Sequence, residues 1–136
     1  MRQRSIASLY VADFKYFTAD ELTCPHCGEY GMDDEGMHHI ERLRHIGGVP
    51  FTVSSAYRCP DHPIEAAKHE PGPHAKGIAI DIVCGGGLAH KLLEAVFFNG
   101  YPFTGTGSSQ NNPPRCIHLD TYAGDNWRVR PSVWSY

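Results

Sequence analysis

Residues 73–83 read Pro73-His74-Ala75-Lys76-Gly77-Ile78-Ala79-Ile80-Asp81-Ile82-Val83. The stretch begins as a short loop, turns at Gly77 and enters a strand. Alternate side chains of a strand share a face, so Ile78, Ile80 and Ile82 fall on one side and Ala79, Asp81 and Val83 on the other. The isoleucines can fill a core. Asp81 then sits in a β-branched run where a lone carboxylate is costly to bury. Ala79, one pleat earlier on the same face, leaves room for a bulky neighbour. Gly77 lets the loop fold back so that His74 approaches Asp81. A neutral imidazole and a carboxylate that meet at one point supply two of the three protein ligands of an open metal site. A capped strand with an exposed aspartate is the competing reading.

A second stretch alternates in the same way. In Cys116-Ile117-His118-Leu119-Asp120-Thr121 the apolar Ile117 and Leu119 point to a core, and Cys116, His118 and Asp120 point away from it. If the two strands are neighbours in one antiparallel sheet, His74, Asp81 and His118 converge. Two imidazoles and one carboxylate suit Zn²⁺ with a fourth position open for water. Zinc lowers the pKa of such a water to roughly 7 and can polarise a carbonyl oxygen.

The remaining segments supply a frame for these strands. Thr18-Ala19-Asp20-Glu21 carries a capping signal for a helix of a turn or so. Met37, Ile40, Leu43 and Ile46 predict a helix over 33–46 with a narrow apolar stripe, closed by Gly47-Gly48. Residues 49–54 read as a strand with Pro50 near its start. Residues 63–68 suit a short helix with Pro63 in its first turn. Residues 88–98 give the clearest helix, with Leu88, Leu92, Ala95, Val96 and Asn99 on one side and Asn99-Gly100 at its end. Residues 103–107 form a glycine-rich strand or turn, and 108–114 a polar loop. The expected fold is α+β: one small, mainly antiparallel sheet with helices 33–46 and 88–99 on one side. The whole of 1–136 is read as a single domain, with an aromatic segment at 1–17 that lies across it or against a partner, and a packed tail at 122–136.

Composition narrows the function. The chain has 136 residues, 41% hydrophobic and 20% charged, with a net charge of -3. That balance suits a soluble globular domain and offers no basic stripe for nucleic acid. No apolar run approaches a membrane span, and the start lacks the apolar core of a secretory signal. Nine histidines are many for this length, but His38, His39 and His45 fall on a helix surface. Five cysteines cannot all pair within the chain. Cys24-Pro25-His26-Cys27 has the spacing of half a zinc ribbon, without a second close pair to complete it.

The order of Ser55-Ala56-Tyr57-Arg58, His74-x-x-Gly77-x-Ala79-x-Asp81, Gly105-x-Gly107 and Ile117-His118-Leu119-Asp120 resembles the zinc D-alanyl-D-alanine carboxypeptidase family. That family includes cell-wall carboxypeptidases and phage endolysins, and shares its fold with the zinc site of hedgehog signalling domains. The similarity covers residues 17–121. It implies that His74, Asp81 and His118 ligate zinc. It also implies that Arg58, with Ser55 and Tyr57 beside it, sits over the substrate, where a guanidinium can pair with a carboxylate. Tyr57 either donates a hydrogen bond in catalysis or packs. Many members carry an acidic residue three positions before the last ligand; here that position holds Arg115, which cannot accept a proton. Asp120 then acts as the base or orients His118, or catalysis is lost and only the zinc fold remains. Relatives with a cysteine-rich knob and a following Cys-Pro suggest a link among Cys24, Cys27 and Cys59, with free thiols or one disulfide preferred to a second metal. The resemblance implies a peptidase of peptidoglycan stem peptides, of carboxypeptidase or endolysin type, made in a bacterial or phage-infected cytoplasm and acting at the wall. The alternative is a zinc-containing structural or binding module, such as part of a virion, docked through residues 1–17.

Overall fold

The computed structural model describes residues 14–99 and 102–136. In chain order they form α1 (Ala19–Leu22), α2 (Asp34–Gly47), β1 (Thr52–Ser55), α3 (Pro63–Ala66), a 3₁₀ turn (Pro73–Lys76), β2 (Ala79–Val83), α4 (Gly86–Phe98), β3 (Gly105–Ser109), β4 (Cys116–Asp120) and β5 (Ser132–Ser135). The five strands make one sheet in the order β1-β2-β4-β3-β5. Every neighbouring pair is antiparallel except β3 and β5, which run parallel. The architecture is α+β, as the alternating patterns imply. Among the described residues no helix is long and apolar enough to cross a membrane.

Local chemistry sets the helix ends. Thr18 and Glu21 cap α1 reciprocally. The Asp33 carboxylate caps α2 by accepting from the Gly36 N–H at 2.8 Å. Gly48, at φ +65°, lets the chain leave α2 in the left-handed conformation. Helices α2 and α4 cover one face of the sheet. Met37, Ile40, Leu43, Leu92 and Val96 pack there against Ile80, Ile82, Ile117 and Leu119. Those four sheet residues are fully buried, and each contributes at most roughly 1.5–3 kcal/mol by leaving water.

Several expectations shift. Strand β1 starts at Thr52, so Pro50 lies outside it. Helix α4 starts at Gly86 and buries Ala89, while Leu88 is 52% exposed. The reason is close approach: α2 comes so near α4 that Gly47 faces Ala95, a contact that selects small residues. Ile46, assigned to the α2 stripe, is likewise exposed, and Gly47 is buried in its place. The glycine-rich segment is a full strand, β3, reaching Ser109. The tail contributes the parallel edge strand β5. Of the aromatic N-terminal segment, Phe17 packs on Phe51, Phe14 on His38, and the Tyr16 hydroxyl bonds His45 Nδ1 at 2.7 Å. Leu9, Tyr10, Val11 and Gly100 lie outside the described residues.

Candidate metal centre and cleft

Strands β2 and β4 are neighbours, and their register sets Asp81 directly opposite His118. The core-facing isoleucines fix that register, because a one-residue slip would bury Asp81 and expose Ile80 and Ile82. His74 arrives from the 3₁₀ turn. Gly77 ends that turn at φ +73°, and a Cβ there would overlap the Gly31 carbonyl oxygen. The fold-back therefore requires glycine. It brings His74 Nε2 to 3.2 Å from Asp81 Oδ1, and His118 Nδ1 lies 2.9 Å from the same oxygen. One ligand atom from each of the three residues lies within 4.8 Å of the others.

The outer nitrogens explain why the inner ones converge. His74 Nδ1 is 2.6 Å from the Ala56 carbonyl oxygen, and His118 Nε2 is 2.7 Å from Asp120 Oδ2. Both partners only accept, so those nitrogens carry the proton and donate. In each neutral ring the inner nitrogen then presents a lone pair. Two lone pairs and a carboxylate oxygen are thus aimed at one place at the edge of a cleft. Protons or a cation must sit among them, and a set of two imidazoles and one carboxylate fits zinc. With protons rather than a cation there, the inner nitrogens donate to Asp81; burial alone would raise its carboxyl, but hydrogen bonds from His118 and His74 outweigh it and hold the group well below the usual carboxylate range.

Asp120 lies beneath His118 and is fully buried. Arg130 grips it with two bonds, Nε to Oδ1 at 3.0 Å and Nη2 to Oδ2 at 2.7 Å, and the Tyr122 N–H donates to Oδ1 at 3.1 Å. Burial opposes its charge, yet His118 and Arg130 bring its pKa down to about 2. Both oxygens are occupied, and Asp120 does not line the cleft. Of its two sequence-level roles, orienting His118 is the one this geometry serves. For His118, burial disfavours the cation, but the hydrogen bonds to Asp120 and Asp81 prevail and raise its pKa. The glycines of β3 make room for this layer: a Cβ at Gly105 would strike the Asp120–Arg130 pair, and one at Gly107 would strike the Trp134 indole. Trp134 in turn stacks 5.3 Å from the His118 ring.

A cleft of about 630 Å³ opens over the three ligands. Arg58, Lys68, Arg128 and Arg130 line it, and among the described residues Asp81 is the one acidic side chain that does. Arg58 Nε and Lys68 Nζ both bond Glu65 Oε2 at 2.9 Å, and the Gly72 N–H reaches Oε1 at 2.8 Å. Glu65 is 1% exposed. Its single charge serves two cations, and both of them line the cleft.

The other sequence candidates are placed elsewhere. Ser55 pairs with Asp81 in strand register but does not line the cleft. The Tyr57 ring lies on Gly31, and Tyr57 does not line the cleft. Arg115 lies against Gly85, at the far end of β4 from Asp120. Sequence reasoning missed Glu65, Arg130, Trp134 and Tyr136. Arg58 did carry one usable signal, since a half-buried guanidinium needs an acidic partner and Glu65 follows within the next short helix.

The family model for peptidase M15 matches residues 15–120, a span that contains α1 through β4 and all three candidate ligands. No curated protein and no solved structure matches the chain. The chain belongs to the peptidase M15 family, the zinc-dependent peptidases of the D-alanyl-D-alanine carboxypeptidase type.

Proposed function

We propose that the protein hydrolyses peptide bonds in the stem peptides of bacterial peptidoglycan, at a D-Ala-D-Ala end or within the stem. The observation that carries this reading is the convergence of His74 Nε2, Asp81 Oδ1 and His118 Nδ1 in a cation-lined cleft. Zinc held by these residues supplies Lewis-acid polarisation of the scissile carbonyl and a source of hydroxide at neutral pH. Asp120 and the Ala56 carbonyl keep both rings in the ligating tautomer. Arg58, braced by Glu65, pairs its Nη atoms with a substrate carboxylate, the free C-terminus in a carboxypeptidase or a stem side chain in an endopeptidase. Tyr136 lines the same cleft, and partial burial and the Cys116 thiol raise its pKa. Its hydroxyl, 3.3 Å from Cys116 Sγ, is the phenol donor this cleft offers a developing oxyanion.

The second reading, a binding module that keeps the metal fold, has one observation in its favour. Among the described residues Asp81 is the one acidic side chain that lines the cleft, and it belongs to the candidate ligand set. Hydrolysis of purified peptidoglycan by the zinc-loaded chain separates the two. The peptidase reading expects release of D-alanine or of new amino termini, abolished by a chelator and by His74→Ala and restored by zinc. Binding without release of either product supports the module.

A further inference from the structure

Three sulfurs meet outside the cleft. Cys24 and Cys27 flank the turn Cys24-Pro25-His26-Cys27-Gly28 that follows α1, and Cys59 comes from the loop after β1. Their Sγ atoms all lie within 4.8 Å of one another. Cys24 and Cys59 are buried and Cys27 is exposed. The turn is tightly closed. The Gly28 N–H donates to the Cys24 carbonyl at 2.7 Å, the Cys24 N–H to Glu29 at 2.9 Å, and Gly28 takes φ +75°. The Cys59 N–H reaches Cys24 Sγ at 3.3 Å. A thiol accepts hydrogen bonds weakly, whereas a thiolate accepts them well. His26 Nδ1 lies 3.6 Å from Cys59 Sγ.

We propose that Cys24, Cys27 and Cys59 bind a structural zinc ion, distinct from the one at His74, Asp81 and His118, and that the His26 ring, whose Nδ1 lies beside Cys59 Sγ but outside the three-sulfur cluster, turns in as its fourth ligand. Zn–S bonds of about 2.3 Å in a tetrahedron set sulfurs about 3.8 Å apart, within the spread of this cluster. One disulfide would use two of the sulfurs and leave the third beside it, whereas a metal uses all of them. The resemblance already suggests a link among the three cysteines, with free thiols or one disulfide preferred; the fold brings all three sulfurs within reach of one ion and sets His26 Nδ1 beside Cys59. The ion would staple the turn after α1 to the end of the segment that carries Arg58 and the Ala56 carbonyl. It would thus hold the backbone group that orients His74. The proposal does not depend on peptidase activity, because the clamp serves the fold whether or not the cleft is catalytic.

The test is metal analysis of the full chain, purified in reducing, zinc-containing buffer, together with its cobalt-substituted form. The expected result is two equivalents of zinc, and an intense sulfur-to-cobalt charge-transfer band in the near ultraviolet that a site of histidines and aspartate cannot give. Cys59→Ser is expected to lose that band and one equivalent, while His118→Ala loses one equivalent and keeps the band. His26→Ala is expected to shift the cobalt spectrum. Absence of the band in the wild-type chain would overturn the site even if every variant misfolds. So would a mass lower by two hydrogens that maps to a disulfide among the three cysteines under zinc-replete conditions. A cobalt spectrum unchanged in His26→Ala would overturn the four-residue ligand set.

Discussion

Glu65→Gln isolates the support beneath Arg58. Glu65 accepts from Arg58 Nε, Lys68 Nζ and the Gly72 N–H, all at 2.8–2.9 Å, and is 1% exposed. Glutamine keeps the shape and can keep the bond from Gly72 through its oxygen. Its amide N–H₂ then faces the two cations, donor against donor, and their buried compensating charge is gone. Removing one member of a buried ion pair costs about 3–5 kcal/mol, and the retained bond places this change near 3 kcal/mol. A domain of this size melts about 3.5 °C lower per kcal/mol, so the expected drop in Tm at pH 7 is about 10 °C.

The pH dependence gives the sharper check. Burial alone would raise the Glu65 carboxyl, but the Gly72 N–H and the neighbouring Lys68 and Arg58 lower it below its ordinary 4.5. A depressed carboxyl contributes stability that is fully present above the unfolded value and is lost as pH falls through the folded one. Wild type therefore loses stability below about pH 4.5 in a way that Glu65→Gln does not, and the two melting curves converge in acid. Thermal melts monitored by circular dichroism from pH 7 to pH 3 measure both effects. A Tm difference under about 2 °C at pH 7, or one that persists undiminished at pH 3, would refute the assignment of Glu65 as the shared counter-ion.

Asp120→Asn leaves every ligand atom in place and weakens the acceptor that fixes His118; zinc affinity at that site is expected to fall about 10–100-fold in competition with a chromogenic chelator. Gly77→Ala places a side chain at φ +73° and into the Gly31 carbonyl, so the chain is expected to lose most of its soluble folded yield, read by size exclusion and melting. Trp134→Ala removes the wall beside His118 and exposes the Asp120–Arg130 pair. It is expected to raise KM for a peptidoglycan peptide more than it lowers kcat, with zinc content unchanged by elemental analysis.

The centre of the fold was legible because two strands announce themselves by alternation. Ile80 and Ile82 against Asp81, and Ile117 and Leu119 against His118, fix which faces meet once the strands pair. Where one face must fill a core, register follows from burial, and the register alone sets Asp81 opposite His118. Strand β5 carries no such signal. Val133 is 70% exposed, so its alternation marks no core, and its parallel docking on β3 depends on glycines twenty-five and more positions away in the chain. Arg130 and Trp134 arrive with that strand, which is why the role of Asp120 stayed open in the sequence. Glu65 was hidden for a different reason: a glutamate in a short helix looks solvated until the fold shows two cations sharing it.

The segment 55–59 shows the deeper limit of reading side chains alone. Its motif resembles a substrate loop on the strength of Tyr57 and Arg58, yet four of its residues act on four different parts of the molecule. Ala56 works through its carbonyl, which accepts from His74 Nδ1 and so leaves Nε2 free to face Asp81. Any residue has that carbonyl, and an alanine letter gives no hint of it. Arg58 ties the segment to Glu65 and so to the cation wall, and Cys59 ties it to Cys24 through its N–H. Tyr57 packs on Gly31, next to the carbonyl that forbids a side chain at Gly77. A short backbone with these attachments has little freedom to move Ala56. The orientation of His74 is therefore a property of the whole segment, and a substitution at the sulfur cluster should be felt at the metal centre through the position of one carbonyl oxygen.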